Sequence, residues 1–191
     1  MRVCHLEVYE ASGNGGLPVA RPVQKETAEP RNQGDEEMAS IDQKRSTVVP
    51  YLVAKDAAGA AAFYQKAFGA EVVSRLECPR TGVLVHADLK IGDALIWLGE
   101  ENPNWGSQGP TTLGGTPVTV NLNVPDADKS FARAITAGAT ALKPVEEMFW
   151  GARFGQLRDP FGHQWSVTTQ VREVSPDEMQ AAFAKMMEAQ A

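Results

Sequence analysis

The chain has few cysteines, little positive charge and no long hydrophobic run. Its 191 residues include two cysteines, Cys4 and Cys78, which form no CxxC pair. Two isolated cysteines predict neither a metal-binding motif nor a disulfide framework, and they are typical of a reducing compartment. No apolar stretch is long enough for a membrane span, and the first residues do not resemble a signal peptide. A cytoplasmic location is therefore expected.

The charge balance is acidic. The sequence has 18 Lys and Arg residues against 24 Asp and Glu residues, which gives a formal net charge of −6. Nucleic acid selects stripes of Lys and Arg because its backbone carries a phosphate at every nucleotide. The composition, with 43% hydrophobic and 22% charged residues, predicts a soluble globular protein that binds neither nucleic acid nor a membrane.

Residues 1–46 differ in character from the rest of the chain. They are rich in glycine, proline and interspersed charges, their one aromatic residue is Tyr9, and their apolar residues follow no sustained period. Such a segment cannot bury enough surface to offset the entropy of ordering it. We expect residues 1–46 to be a disordered extension that the rest of the chain does not need for folding.

A regular pattern begins at Thr47. A β-branched, apolar run is followed by a helix that Asp56 caps and that ends at Gly69. Its apolar residues recur at helical spacing, which is the pattern of a helix with one buried face. The four strands predicted in this unit are Thr47–Ala54, Glu71–Glu77, Val83–Lys90 and Ala94–Leu98. Residues 47–100 therefore predict a β-α-β-β-β module.

The pattern then repeats. After a linker at residues 101–115, a second helix begins at Asp126 and ends at Gly138. The strands predicted here are Thr116–Val124, Thr140–Pro144, Arg153–Leu157 and Gln164–Thr169. Asp56 and Asp126 are 70 residues apart, and so are Gly92 and Gly162. This constant spacing indicates an internal duplication, with residues 116–170 as the second module.

A third helix is predicted at residues 175–191. Ser175, Pro176 and Glu178 form the pattern of an N-cap followed by a capping box. The helix carries an apolar stripe, which we expect to pack on the domain itself or on a dimer partner. The stripe consists of Met179, Phe183, Met186 and Met187. The predicted fold class is α+β, with two tandem modules in a domain at residues 47–174 and a C-terminal helix.

Local motifs within this frame resemble a known superfamily. Ala61–Glu71 (AAFYQKAFGAE) is similar to its first-helix motif, and Asp159–Trp165 (DPFGHQW) is similar to the turn before its last strand. The chain from Thr47 to Met179 thus resembles the glyoxalase, bleomycin-resistance and extradiol dioxygenase superfamily, also called vicinal oxygen chelate proteins. Met148–Gly155 and Thr168–Met179 look like its PhnB-like subgroup. The resemblance implies a homodimer built around ligand cavities.

Enzymes of this superfamily hold a divalent metal with His, Glu or Gln residues on the first and fourth strands of each module. The resemblance implies that the equivalent positions here are Val49, Ile96, Thr119 and Ser166. A step along the same face gives Tyr51, Leu98, Asn121 and Thr168 instead. None of these residues is a usual ligand for such a metal, so we expect no metal cofactor.

Other chemical motifs are missing as well. His86 stands alone on a predicted strand, where a core or interface role is expected, and His163 lies in a turn. The chain has no G-x-S-x-G motif, no evident Cys/His pair and no phosphate-binding glycine loop.

Strand alternation predicts which residues face the cavity. Those that share the parity of the ligand positions are Tyr51, Leu98, Thr119, Asn121, Ser166 and Thr168. Trp97 and Trp165 have the opposite parity and are predicted to lie under the helices.

Three aromatic residues fall in predicted loops. Trp105 lies in the linker, and Phe149 and Trp150 come just before the strand that carries Arg153. Such residues suit the mouth of a ligand site, and they equally suit a dimer interface. Arg153, and Arg158 at the end of the same strand, are candidate partners for an anionic group.

The leading hypothesis is a homodimer that binds a small aromatic or polar molecule without a metal. The alternative is a metal-dependent lyase, isomerase or dioxygenase of the same superfamily whose ligands are displaced. A purely structural or interaction module is the third possibility.

Overall fold

The two predicted repeats fold as two four-stranded sheets with one helix against each. The computed structural model describes residues 47–188, so the predictions for residues 1–46, including Cys4 and His5, lie outside the described residues. The first module consists of β1 (Tyr51–Ala54), α1 (Ala57–Phe68), β2 (Glu71–Glu77), β3 (Leu84–Ile91) and β4 (Ala94–Glu100).

The second module has the same order of elements. A linker containing a 3₁₀ turn (Pro103–Trp105) and a one-turn helix, α2 (Pro110–Leu113), joins it to the first. The module consists of β5 (Thr119–Asn123), α3 (Ala127–Ala137), β6 (Thr140–Glu147), β7 (Ala152–Arg158) and β8 (Gln164–Gln170). The helix α4 (Pro176–Glu188) follows it.

The strand order confirms the duplication. The sheets run β1-β4-β3-β2 and β5-β8-β7-β6. In each sheet the first strand pairs in parallel with the fourth, and the other neighbours are antiparallel. The helix that follows the first strand crosses one face of the sheet before the chain enters the second strand. Within residues 47–188, the other face of the sheet is not covered by a helix. We call the second face of each sheet the open face.

The helix caps are confirmed, whereas several strand bounds were wrong. Asp56 and Asp126 accept hydrogen bonds from the amides of Gly59 and Lys129, and Gly69 ends α1 with a φ of 70°. The first strands are shorter than predicted because Pro50 and Pro117, which lack an amide hydrogen, lie close to their starts. β6 continues past Pro144 to Glu147, with irregular pairing around the proline.

One buried carboxylate joins the modules. Asp159 lies in the turn between β7 and β8, and 3% of its surface is exposed. Its Oδ2 accepts hydrogen bonds from the Tyr64 hydroxyl at 2.8 Å and from Trp165 Nε1 at 2.9 Å. Its Oδ1 accepts from the amides of Phe161 and His163, both at 2.9 Å. Because Tyr64 belongs to α1, this residue connects the first module to the second.

Aromatic packing and two further contacts reinforce this junction. The ring of Trp165, which is fully buried, lies 5.1 Å from the Tyr64 ring and 4.6 Å from the Phe68 ring, centroid to centroid. Nε2 of His163 donates to the carbonyl of Val53 at 3.0 Å, and Arg133 Nε donates to the carbonyl of Ala67 at 2.7 Å. These contacts join the helix sides of the two modules to each other.

The C-terminal helix does not pack on the core. Its capping box is confirmed, since Ser175 and Glu178 exchange hydrogen bonds. The helix has no buried residue, and the side chains of Met179, Phe183 and Met187 are exposed. The Phe183 ring lies 5.9 Å from that of Phe149. The apolar stripe of this helix was expected to pack on the domain itself or on a dimer partner. Within residues 47–188 it does not pack on the core of the domain.

Cys78 differs from expectation. Its side chain is buried, and its sulfur is disulfide-bonded instead of being a free thiol. The expectation of an isolated cysteine was therefore wrong for Cys78. No helix within residues 47–188 is long and apolar enough to cross a membrane.

The contacts of Asp159 predict a large stability effect. In Asp159→Asn, the amide group that replaces one oxygen faces two hydrogen-bond donors whichever way the side chain is turned. We expect the free energy of unfolding to fall by about 2–5 kcal/mol, because buried donors lose their acceptor. Urea unfolding followed by circular dichroism measures this change.

Tyr64→Phe is the matched control, because it removes one donor and leaves the carboxylate with three. We expect it to cost about 1–2 kcal/mol. Equal losses for the two variants would contradict the central role of Asp159.

Candidate ligand-binding faces

The open face of the first sheet carries an aromatic cluster. Tyr51 on β1 pairs with Trp97 on β4, and His86 lies on the neighbouring strand β3. The centroid of the Tyr51 ring is 5.7 Å from that of His86 and 6.2 Å from that of Trp97, and His86 and Trp97 are 5.7 Å apart. All three pairs meet edge to face. We call Tyr51, His86 and Trp97 the aromatic cluster.

The cluster is accessible and has polar edges. Tyr51 is 52% exposed, and its partial burial raises the pKa of its hydroxyl. Nε2 of His86 donates to Oδ1 of Asp88 at 3.3 Å. Oδ2 of the same carboxylate accepts from the Ser74 hydroxyl at 2.5 Å. The cluster therefore offers a molecule an aromatic surface bordered by an imidazole and a carboxylate.

A glycine makes room for this arrangement. A Cβ atom on Gly99 would lie 2.4 Å from the Tyr51 hydroxyl oxygen and 2.9 Å from the carbonyl oxygen of Val85. Any larger residue at this position would push the Tyr51 ring away from β4. Gly99 thus allows Tyr51 to lie across the open face beside Trp97.

The open face of the second sheet carries polar groups instead. Oδ1 of Asn121 accepts hydrogen bonds from the hydroxyls of Ser166 at 2.7 Å and Thr168 at 2.8 Å. Its Nδ2 donates to Asn123 Oδ1 at 3.1 Å. We call Asn121, Asn123, Ser166 and Thr168 the amide–hydroxyl network. The parallel register that pairs Asn121 with Ser166 also pairs Tyr51 with Trp97 in the first module, so the same positions carry different chemistry.

Two parity predictions for the first module were wrong. Leu98, predicted to face the cavity, is fully buried on the helix side, and Trp97, predicted to lie under a helix, is in the aromatic cluster. The hairpin turn explains the error. Two residues join β3 to β4, whereas the five residues 159–163 join β7 to β8, so counting from the turn glycine gives opposite faces in the two modules. In the second module the prediction for Trp165 is confirmed.

Arg153 also points away from the open face. Its neighbour Phe154 pairs with Thr168, so Arg153 lies on the helix side. There its Nε and Nη2 donate to both oxygens of Asp128 on α3, at 2.5 and 2.6 Å. This bidentate contact raises the pKa of Arg153 and lowers that of Asp128. The prediction that Arg153 faces the cavity was wrong, because alternation along β7 places Phe154 on the open face and Arg153 on the opposite one.

The loop aromatics divide into two groups. Phe149 and Trp150 meet edge to face with centroids 4.9 Å apart, and the Trp150 ring lies 5.7 Å from Phe154. Because Phe154 pairs with Thr168, Trp150 lies near the amide–hydroxyl network. Trp105 is 62% exposed in the linker, and no aromatic ring within residues 47–188 contacts it.

The residues that the register pairs on the open faces are not the usual ligands of a divalent metal, and next to them only His86 and Asp88 are of a ligand type among residues 47–188. The register pairs Tyr51 with Trp97 and Asn121 with Ser166, and none of these is the carboxylate, imidazole or thiolate such ions favour. Ile96 is buried on the helix side, so it is not a ligand position. Across residues 47–188, no three His, Cys, Asp or Glu residues lie close enough to hold an ion together.

The fold and the two open faces define the class of protein to which the chain belongs: a tandem β-α-β-β-β protein. The family model of the Glyoxalase/Bleomycin resistance protein/Dioxygenase superfamily matches residues 46–167. The chain therefore belongs to this superfamily.

The chain is also similar to known proteins in sequence and in structure. Protein Rv0887c of Mycobacterium tuberculosis, itself uncharacterized, is 44% identical over 157 residues, which are 81% of this chain and 90% of that protein. The crystal structure of TioX from Micromonospora sp. ML1 is 30% identical with a TM-score of 0.54, covering 66% of this chain and 99% of TioX. A PhnB protein from Bacillus cereus shares the fold at 18% identity, with a TM-score of 0.51 and coverage of 65% and 99%.

The amide–hydroxyl network predicts a stability effect that is independent of any ligand. Asn121→Ala removes the acceptor of the Ser166 hydroxyl, and Ser166 is 3% exposed. We expect the free energy of unfolding to fall by about 1–3 kcal/mol, because a buried hydroxyl loses its partner. Asn123→Ala, at an exposed end of the network, is the control and should cost less than about 0.5 kcal/mol. Equal effects in urea unfolding would show that Asn121 does not organise the network.

Proposed function

We propose that this protein binds a small, planar aromatic or polar molecule between open faces that a homodimer encloses, without a divalent metal. The observation that carries the proposal is the partly exposed aromatic cluster of Tyr51, His86 and Trp97. Aromatic side chains left on an accessible face favour a flat ligand, because ring faces and edges stack with a conjugated system.

The two open faces supply complementary interactions. The aromatic cluster offers stacking surface, and the amide–hydroxyl network offers hydrogen bonds from Asn121, Ser166 and Thr168. Trp150 borders the network through Phe154 and is proposed to form part of the cavity mouth. A molecule with a conjugated ring and polar substituents would satisfy both faces, whereas a long aliphatic chain would cover the free lone pairs of the hydroxyl oxygens without offering them a donor.

The dimer follows from what the chain leaves uncovered. The modules contact each other through their helix sides, while Tyr51, Leu76 and the α4 side chains Phe183 and Met187 stay exposed. A second copy is the simplest partner for such surfaces, because a two-fold interface buries the same patch on both chains. A purely structural module would use the same interface and bind no small molecule.

A metal-dependent lyase, isomerase or dioxygenase is the second candidate. One observation favours it: His86 and Asp88, both types of metal ligand, are adjacent on the open face. Two such side chains are fewer than the three or four that a metal site needs, so a second chain would have to supply the rest. Metal analysis of protein purified without chelator separates the candidates, since stoichiometric Zn, Ni, Mn or Fe would exclude the metal-free proposal.

Two finer assignments belong to this proposal. The motifs at Met148–Gly155 and Thr168–Met179 support membership of the PhnB-like subgroup. A cytoplasmic location stays a prediction from composition.

The dimer is tested by mass. We expect light scattering at micromolar concentration to return twice the chain mass of 20.6 kDa. A monomer mass would contradict an enclosed cavity and leave the open faces to other partners.

The ligand site is tested with tryptophan fluorescence. A quenching screen of planar aromatic compounds should find ligands, and Trp97→Ala should weaken the best of them by about 1–3 kcal/mol, as for a central anchor. Trp150→Ala should also weaken it while the dimer persists. Trp105→Ala is the matched control, because this exposed linker ring makes no ring contact with the aromatic cluster in the part of the chain that the structure describes, and it should leave the affinity unchanged.

Two results would count against the site. Unchanged affinity in Trp97→Ala would show that the aromatic cluster is not part of the ligand site. Loss of the dimer in Trp150→Ala, with intrinsic affinity retained, would assign Trp150 to the interface instead.

A further inference from the structure

A small cavity lies on the other side of the first sheet, between α1 and strands β2 and β3. Its volume is about 140 Å³, close to that of apolar cavities that accept a benzene molecule. Its lining consists of Ala58, Ala61, Ala62, Gln65, Val72, Arg75, Leu84 and Ala87. Ala61, Leu84 and Ala87 are buried, whereas the side chains at the rim are exposed. The cavity therefore has an apolar floor and an entrance from solvent.

The second module shows what fills the equivalent space there. The 70-residue repeat places Phe131 of α3 where α1 has Ala61. The strand registers likewise place Gly155, which pairs with Val167, where the first module has Ala87, which pairs with Leu98. A Cβ atom on Gly155 would lie 3.0 Å from the Phe131 ring, so this ring lies directly on Gly155. The first module lacks the ring and has a cavity at the same place.

The rim of the cavity differs in charge between the modules. In the second module, Val145 lies beside Gly155, with its methyl group 2.8 Å from the position of a Cβ there. In the first module the residue paired with Ala87 is Arg75. Its guanidinium contacts the carboxylate of Glu77, and both side chains are about half exposed, at 55% and 45%. An exposed ion pair of this kind contributes little, so Arg75 can exchange Glu77 for another carboxylate.

We propose that the cavity between α1 and the first sheet binds a small aryl carboxylate. The ring occupies the space that Phe131 fills in the second module, and the carboxylate meets Arg75 and Gln65 at the rim. Guanidinium groups bind carboxylates through charge-assisted hydrogen bonds, and the alanine floor excludes polar substituents on the ring. This site lies on the opposite side of the sheet from the aromatic cluster and goes beyond the proposed function.

Benzoate is the probe, and its binding to the full chain is measured as a rise in melting temperature with concentration. We expect millimolar binding that disappears in Ala61→Phe, because this change supplies the missing ring. Ala58→Leu, at an exposed rim position that folding tolerates, should obstruct the entrance and give the same loss. Circular dichroism confirms that each variant is folded.

Charge and location are tested separately. Arg75→Leu should weaken benzoate by roughly threefold to tenfold and leave neutral phenol unaffected, whereas Lys90→Leu, which removes a cation outside the cavity, should change neither. Trp97→Ala should retain benzoate binding, since the aromatic cluster is on the other face.

The proposal is overturned if benzoate produces no shift, if folded Ala58→Leu and Ala61→Phe bind it as the wild type does, or if Trp97→Ala abolishes binding. The last result would assign benzoate to the open face and would leave the function proposed above intact.

Discussion

The buried carboxylate of Asp159 is the interaction on which the arrangement of the two modules depends. It holds four hydrogen bonds, of which one comes from α1 in the first module and three from its own turn and β8. A buried charge is tolerated only when its hydrogen-bonding capacity is satisfied. Correct docking of Tyr64 is therefore coupled to correct formation of the turn, and the modules fold against each other in one orientation.

This coupling separates the core of the domain from the accessible faces of the sheets. Because α1 and Trp165 are engaged between the modules, the helix sides of the sheets form the core. The open faces are left with the aromatic cluster on one sheet and the amide–hydroxyl network on the other. A duplicated scaffold thus presents two chemically different surfaces, and the difference comes from a few side chains at matching positions in otherwise similar modules.

Because the modules are duplicates, the packing of the second module explains the cavity in the first. In the second module Phe131 fills a space that is empty beside Ala61 in the first module. Val145 borders this space in the second module, and Arg75 borders the cavity in the first. Interiors are close-packed, so a residue of alanine size where a ring belongs leaves a gap unless the backbone moves. Comparison of the two modules therefore shows that the cavity is a local difference in packing, confined to the first module.

The sequence alone determined the duplication, the caps at Asp56 and Asp126 and the fold class, because periodicity and capping are local properties. The amide–hydroxyl residues Asn121, Ser166 and Thr168 were also found by strand parity. Only the tertiary structure decided the faces of Trp97, Leu98 and Arg153. The face of the sheet on which a side chain lies depends on the length of the turn and on the pairing register. A shift of one residue moves every side chain of a strand to the other side of the sheet.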